Sequence, residues 1–91
     1  MRISVKYAVP FRENVGVSEE TYELQQVSAT VREVLELIAR RHASMAKLVD
    51  TGSEEAQRRR LVVAVNSSLA RLTDDLHDGD KLSLLLPVIG G

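Results

Sequence analysis

The chain contains no cysteine, which excludes disulfides, thiolate metal sites and cysteine nucleophiles and leaves the redox compartment open. It also lacks an excess of charge of either sign. Twelve basic and thirteen acidic side chains leave a formal net charge of −1, so no global field draws in nucleic acid or an anionic membrane, and partners must be recognised locally. No long apolar run occurs. The N-terminus enters directly into alternating Arg2-Ile3-Ser4-Val5-Lys6-Tyr7, so neither a signal peptide nor a membrane span is readable and a cytoplasmic protein is expected. Internal repeats and low-complexity tracts are missing too. The 91 residues accommodate one domain rather than two, because domains seldom fall much below about 50 residues.

What is present is a set of short periodic segments. From Arg2 to Val9 the residues Ile3, Val5, Tyr7 and Val9 share one face and Arg2, Ser4 and Lys6 the other, the period-two signature of a half-buried strand that Pro10 ends. Phe11 to Glu20 is polar, contains Gly16 and reads as a hairpin loop leading to a second strand over Thr21-Tyr22-Glu23-Leu24-Gln25. Thr30 followed by Glu33 matches a capping box, and Val31, Val34, Leu35 and Ile38 then recur at helical spacing. This predicts an amphipathic helix that fades near Arg41-His42. A short helical turn is expected over Ser44 to Val49 and a solvated loop over Asp50-Thr51-Gly52-Ser53-Glu54-Glu55.

The β-branched run Leu61-Val62-Val63-Ala64-Val65 predicts a third strand, turned by Asn66-Ser67-Ser68 into a short fourth strand from Leu69 to Leu72. Thr73-Asp74-Asp75-Leu76 reads as one tight turn, Asp78-Gly79-Asp80 as another, and Lys81 to Leu86 as the last strand before Pro87. Leu82, Leu84 and Leu86 alternate inward on it, leaving Leu85 anomalous on the polar face. Leu85 is either covered by the segment from Ala43 to Arg60 or is part of a docking patch that includes Phe11 and Pro87. The order β-β-α-β-β-β fits an α+β roll, a mixed sheet of about five strands with one main helix on one face.

The last third, from Val65-Asn66 through Leu72-Thr73-Asp74-Asp75-Leu76-His77-Asp78-Gly79-Asp80-Lys81-Leu82 to Leu86-Pro87-Val88-Ile89-Gly90-Gly91, resembles the small subunit of molybdopterin synthase. It is similar in the same way to the wider ThiS–MoaD family of ubiquitin-like sulfur carriers. The combination carries the likeness: a valine-asparagine strand end, an acidic turn, an Asp-Gly-Asp corner, a strand into proline and a closing diglycine. The tail departs from the commonest bacterial pattern, proline-proline-valine before the diglycine, in having Leu86 before Pro87 and Ile89 after Val88.

The resemblance implies a β-grasp domain over residues 1–87 and a flexible diglycine tail over 88–91. It also implies a cycle in which an ATP-dependent adenylating enzyme activates the Gly91 carboxylate and a sulfur donor such as a sulfurtransferase converts it to a thiocarboxylate. The tail, Val88, Ile89, Gly90 and Gly91, then enters the active site of the larger synthase subunit, where the sulfur builds the dithiolene of the molybdenum or tungsten cofactor. The chain would have no catalytic side chain of its own and bind no cofactor or metal directly, ATP being used by the activating enzyme. Glycines at 90 and 91 suit a narrow channel because they lack Cβ atoms, and Pro87 directs the chain off the sheet by ending the ladder.

Other roles use the same tail. Small archaeal modifier proteins resemble this chain closely and imply conjugation through Gly91 to protein lysines. Sulfur delivery to tRNA or to thiamine thiazole is a third reading, although thiazole carriers are usually shorter and lack the long middle segment. Several further signals have plainer explanations. Arg58-Arg59-Arg60 after Glu54 and Glu55 reads as a solvated loop rather than a nucleic-acid contact. His42 and His77 lack metal-ligand spacing. Asp74, Asp75, Asp78 and Asp80 lack the order of a calcium loop and fit turn chemistry. Asn66-Ser67-Ser68 matches a glycosylation acceptor only formally, with no secretion signal before it.

Overall fold

A computed structural model describes residues 1–87. Strand β1 (Arg2–Tyr7) buries Ile3, Val5 and Tyr7, the alternation read from the sequence, but it stops two residues short of Val9, which is exposed beyond the strand. The segment that reads as a plain hairpin loop holds a short helix, α1 (Phe11–Val15), closed by Gly16 at φ +93°, whose N–H donates to the Arg12 carbonyl. Strand β2 (Glu19–Glu23) begins and ends two residues earlier than expected. Its register against β1 puts Tyr22 opposite Ile3, so Tyr22 faces the core and Glu20 is carried to the same face.

The two-residue strand β3 (Ala29–Thr30) leads into helix α2 (Val31–Arg41). The capping box is complete: Thr30 Oγ1 accepts from the Glu33 N–H at 3.3 Å and Glu33 Oε1 accepts from the Thr30 N–H at 3.2 Å. Two further free N–H groups of the first turn, those of Val31 and Arg32, donate to the carbonyls of Asp74 and Leu72. The helix lays Val31, Val34, Leu35 and Ile38 into the core, ends at His42 and gives way to a 3-10 helix over Ala43–Leu48 that buries Met45.

The loop expected after it is helical from Glu54 onward. Helix α3 (Glu54–Arg60) is capped by Ser53, whose hydroxyl accepts from the Ala56 N–H at 3.0 Å. Glu54 and Glu55 sit in its first turn and Arg58, Arg59 and Arg60 in its last, which complements the helix dipole, and Arg58–Glu54 and Arg59–Glu55 pair one turn apart. The arginine run is thus a self-neutralised helix end, with Arg60 also 3.6 Å from Asp50. Gln57 is the buried polar residue of this segment: it accepts from the Asp50 N–H at 2.7 Å and donates to the Leu48 carbonyl at 2.8 Å.

Strand β4 (Val62–Val65) turns through Asn66 and Ser67, both at positive φ (49° and 74°), into β5 (Ser68–Leu69), shorter than the strand read to Leu72. Part of the expected Thr73–Leu76 turn is a strand: β6 (Asp75–Leu76) pairs with β3, Ala29 opposite Leu76. The acidic corner acts on the backbone, Asp74, Asp78 and Asp80 accepting N–H groups of Arg71, Arg2 and His77. Strand β7 (Lys81–Leu85) closes the fold. It lies mid-sheet in the order β2-β1-β7-β4-β5, parallel to β1 and antiparallel to β4. The core fills the space between the inner face of this mixed sheet and α2, with Leu82 and Leu84 fully buried. It is the five-stranded roll with one main helix on one face that the element order predicts.

Candidate functional site

Strand β7 delivers the chain to the site. Its neighbours stop beside it: the last β1 pair is Tyr7–Leu84, the first β4 pair is Val62–Leu85, and the Ala8 N–H donates to the Leu84 carbonyl at 3.2 Å. No ladder continues beyond Leu85, so Leu86, expected to face inward, is 53% exposed, and Pro87 follows it off the sheet. Val88, Ile89, Gly90 and Gly91 lie outside the described residues.

Around this exit, Leu85 projects on the outer sheet face and is 36% exposed, beside half-buried Val62 and followed by exposed Leu86. The segment from Ala43 to Arg60 turns Met45 into the core, with Leu48 and Val49 packed against it, and Leu85 keeps part of its surface exposed. Phe11 does not join this surface. It is 2% exposed, because α1 turns its first side chain inward against the core, and the sequence reading of Phe11 as a docking residue is corrected accordingly. Leu85 and Pro87 both lie at the exit, with Leu69, 73% exposed on β5, farther along the same outer face as Leu85.

The sequence model of the ThiS family matches residues 5–91. The chain belongs to the ThiS family. Among curated ThiS-type relatives it is 31% identical over 93 residues, and over the full length of both chains, to the molybdopterin synthase sulfur carrier subunit of Chlamydomonas reinhardtii. Among solved structures it is similar to the putative molybdopterin converting factor, subunit 1, of Pyrococcus furiosus. That similarity is 32% identity and a TM-score of 0.81, covering 97% of this chain and 99% of the other. It also shares the β-grasp, ubiquitin-like fold of small archaeal modifier protein SAMP1 from Haloferax volcanii, at 23% identity and a TM-score of 0.77 over the whole of both chains. The chain is therefore a ThiS-family homologue of the molybdopterin synthase small subunit, built on the β-grasp fold.

Behind the exit, the ThiS-family sheet carries a polar cluster that sequence patterning does not announce. Glu20 Oε1 accepts from the Tyr7 hydroxyl at 2.5 Å and the Tyr22 hydroxyl at 2.8 Å and lies 2.7 Å from His42 Nε2, while Arg41 approaches the other oxygen at 3.9 Å. The Arg41 guanidinium also stacks over the Tyr22 ring, 4.5 Å from its centroid. Burial by itself would raise the Glu20 carboxyl, but the hydrogen bonds from Tyr7, His42 and Tyr22 outweigh it and hold the group below the usual carboxylate range. Burial and the hydrogen bond to Glu20 push the Tyr7 hydroxyl far up; burial likewise raises Tyr22. The cluster ties β1, β2 and the end of α2 together and so supports β1, one of the two strands that flank β7. Its histidine is engaged in that role, and among the described residues no group of three or more histidine or acidic side chains could hold a metal ion. No described helix is long and apolar enough to cross a membrane.

Proposed function

We propose that this chain is the sulfur-carrier subunit of a molybdopterin synthase, with the Gly91 carboxylate as its working group. The observation that carries the reading is the placement of the exit. A central strand held on both sides ends at Leu85, and the chain leaves at Pro87 immediately before Val88-Ile89-Gly90-Gly91, in a chain 31% identical over its full length to a sulfur carrier subunit. A strand fixed on both sides and ending just before the last residues suits presentation of a terminal acyl group to a partner's active site.

In this reading an adenylating enzyme joins the Gly91 carboxylate to the α-phosphorus of ATP and releases pyrophosphate. Hydrosulfide delivered by a sulfur-donor protein then attacks the acyl carbon, its proton is lost and AMP leaves, which divides one difficult substitution into two easier ones. The resulting thiocarboxylate is presented to the larger synthase subunit, which transfers its sulfur to the pterin precursor. Leu85, Leu86 and Pro87 supply the apolar collar against which both partners seat, with Val88 and Ile89 continuing into the partner. ATP is consumed by the activating enzyme, and a cytoplasmic location goes with that supply.

Removal of Gly91 tests the reading. The truncated chain should unfold at the same temperature as the full chain, because residues 1–87 hold the whole described core, and should support no cofactor synthesis in cells lacking the intact gene. Cofactor synthesis restored by the truncated chain would refute it.

A further inference from the structure

The outer face of the sheet is divided between two chemistries. On β4, β5 and the end of β7 it presents Val62, Leu69 and Leu85. On β1 and the start of β7 it presents Ser4, Lys6, Lys81 and Ser83. The parallel register puts Ser4 opposite Lys81 and Lys6 opposite Ser83, so two ammonium groups occupy one diagonal and two hydroxyls the other. With Glu19 at one rim and the Asn66–Ser67 turn at another, they line a surface cleft of about 200 Å³.

Among the described residues, some basic side chains are paired and others, Lys6 and Lys81 included, are not. Arg2 is paired with Glu23 at 2.6 Å, and Arg58, Arg59 and Arg60 with Glu54, Glu55 and Asp50. Lys6 and Lys81 have no ion pair among the described residues, although Glu19 lies opposite Lys6 on β2. The nearby polar groups that could satisfy Lys81 are committed elsewhere. Asp80 accepts from the Asn66 amide and the His77 N–H, and the Asn66 oxygen accepts from the Lys81 backbone N–H. The cleft therefore offers donors to an incoming acceptor, with Glu19 the one carboxylate in its lining.

We propose that this cleft receives a carboxylate side chain of the protein that docks on the apolar end of the same face, and that Lys6 and Lys81 set the register of that docking. The inference rests on the carrier reading and specifies the chemistry of the partner. Ser83 lies two positions before Leu85 on the same face, about 7 Å away along the strand, with Lys6 beside it on β1 and Ala64 on β4. A partner broad enough to cover Leu85 and Val62 therefore also covers the cleft. Apolar contact is non-directional, whereas a carboxylate brought out of water between two ammonium groups selects one orientation and suppresses others. A single carboxylate fits better than a polyanion, because the chain carries a net charge of −1 and Glu19 stands at the rim.

The test uses the adenylating enzyme and the larger synthase-type subunit of the same organism as probes, titrated with wild type, Lys6→Glu/Lys81→Glu and Lys6→Gln/Lys81→Gln at low and high salt. The charge reversal should weaken at least one of the two complexes about tenfold or more at low salt, and the glutamine pair should flatten the salt dependence of wild type. If the reversal disturbs folding, seen as a lowered unfolding temperature, the glutamine pair decides the question alone. Binding of both probes by the variants within about twofold of wild type overturns the proposal and leaves the carrier role intact. Competition by millimolar inorganic phosphate at constant ionic strength, with no effect of the variants on either protein, assigns the cleft to small anions and also overturns it. Failure of wild type to bind either probe removes the carrier reading and this inference with it.

Discussion

Replacing Glu20 by glutamine keeps an acceptor oxygen beside Tyr7, Tyr22 and His42 but removes the charge that strengthens all three contacts. Hydrogen bonds to charged groups contribute about 1.5–3 kcal/mol and neutral ones about 0.5–1.5 kcal/mol, and part of the difference is offset because the amide avoids the desolvation that the partly buried carboxylate suffers. A net loss of about 1–2 kcal/mol at neutral pH follows, or about 5–15 °C in unfolding temperature for a domain of this size. The pH dependence is more diagnostic. The folded Glu20 carboxyl titrates below its usual value. Its contribution is therefore fully present above about pH 4.3, the ordinary glutamate value, and is lost as pH falls through the lower folded value, where the unfolded chain binds the proton more readily. Urea titrations from pH 7 down to about pH 3 should show the gap between wild type and Glu20→Gln narrowing below about pH 4. A gap of the same size at both ends of that range, or none at pH 7, would refute the assignment of Glu20 as a charged hub.

The tyrosines give the alkaline counterpart: burial raises both hydroxyls, so the stability they contribute is whole below about pH 10 and is lost above it. Tyrosinate absorbance should therefore rise together with unfolding, and free titration of both tyrosines near pH 10 in a folded chain would contradict this. Gln57→Ala strands the Asp50 N–H and the Leu48 carbonyl and should cost about 1–3 kcal/mol in denaturant unfolding; an unchanged midpoint would show that the loop is not held by this side chain. Ser67→Gly relieves a non-glycine residue at φ 74° and should stabilise the protein by about 0.5–1 kcal/mol, with a lowered unfolding temperature as the contrary result.

The strands and the main helix were legible because burial imposes its period on them: Ile3, Val5 and Tyr7 alternate, Leu82 and Leu84 do likewise, and Val31 to Ile38 form one stripe behind a readable capping box. Helix α3 was hidden because its seven residues carry no apolar stripe; its signals are the Glu54–Arg58 and Glu55–Arg59 spacings and the Ser53 cap, which charge-run reading treats as solvated loop. Phe11 was misplaced for a related reason. In a polar segment a lone aromatic looks exposed, yet Pro10 before it, Val15 four residues on and Gly16 as a cap mark a single helical turn able to bury it. Strand β6 has two residues and exists only through its pairing with β3. The Glu20 cluster draws on three elements far apart in sequence, so no local pattern encodes it. The exit at Leu85 to Pro87 was legible through Pro87 and the surplus leucine on the polar face.

Intact mass of the protein isolated from its own organism, with fragmentation of the tail, tests the carrier role most directly. The account predicts a fraction of molecules heavier by about 16 Da, oxygen replaced by sulfur at the activated acyl carbon, with the gain confined to Gly91. A tail of unchanged mass throughout, in cells actively making the pterin cofactor, or Gly91 found only in isopeptide linkage to lysines of other proteins, would contradict it.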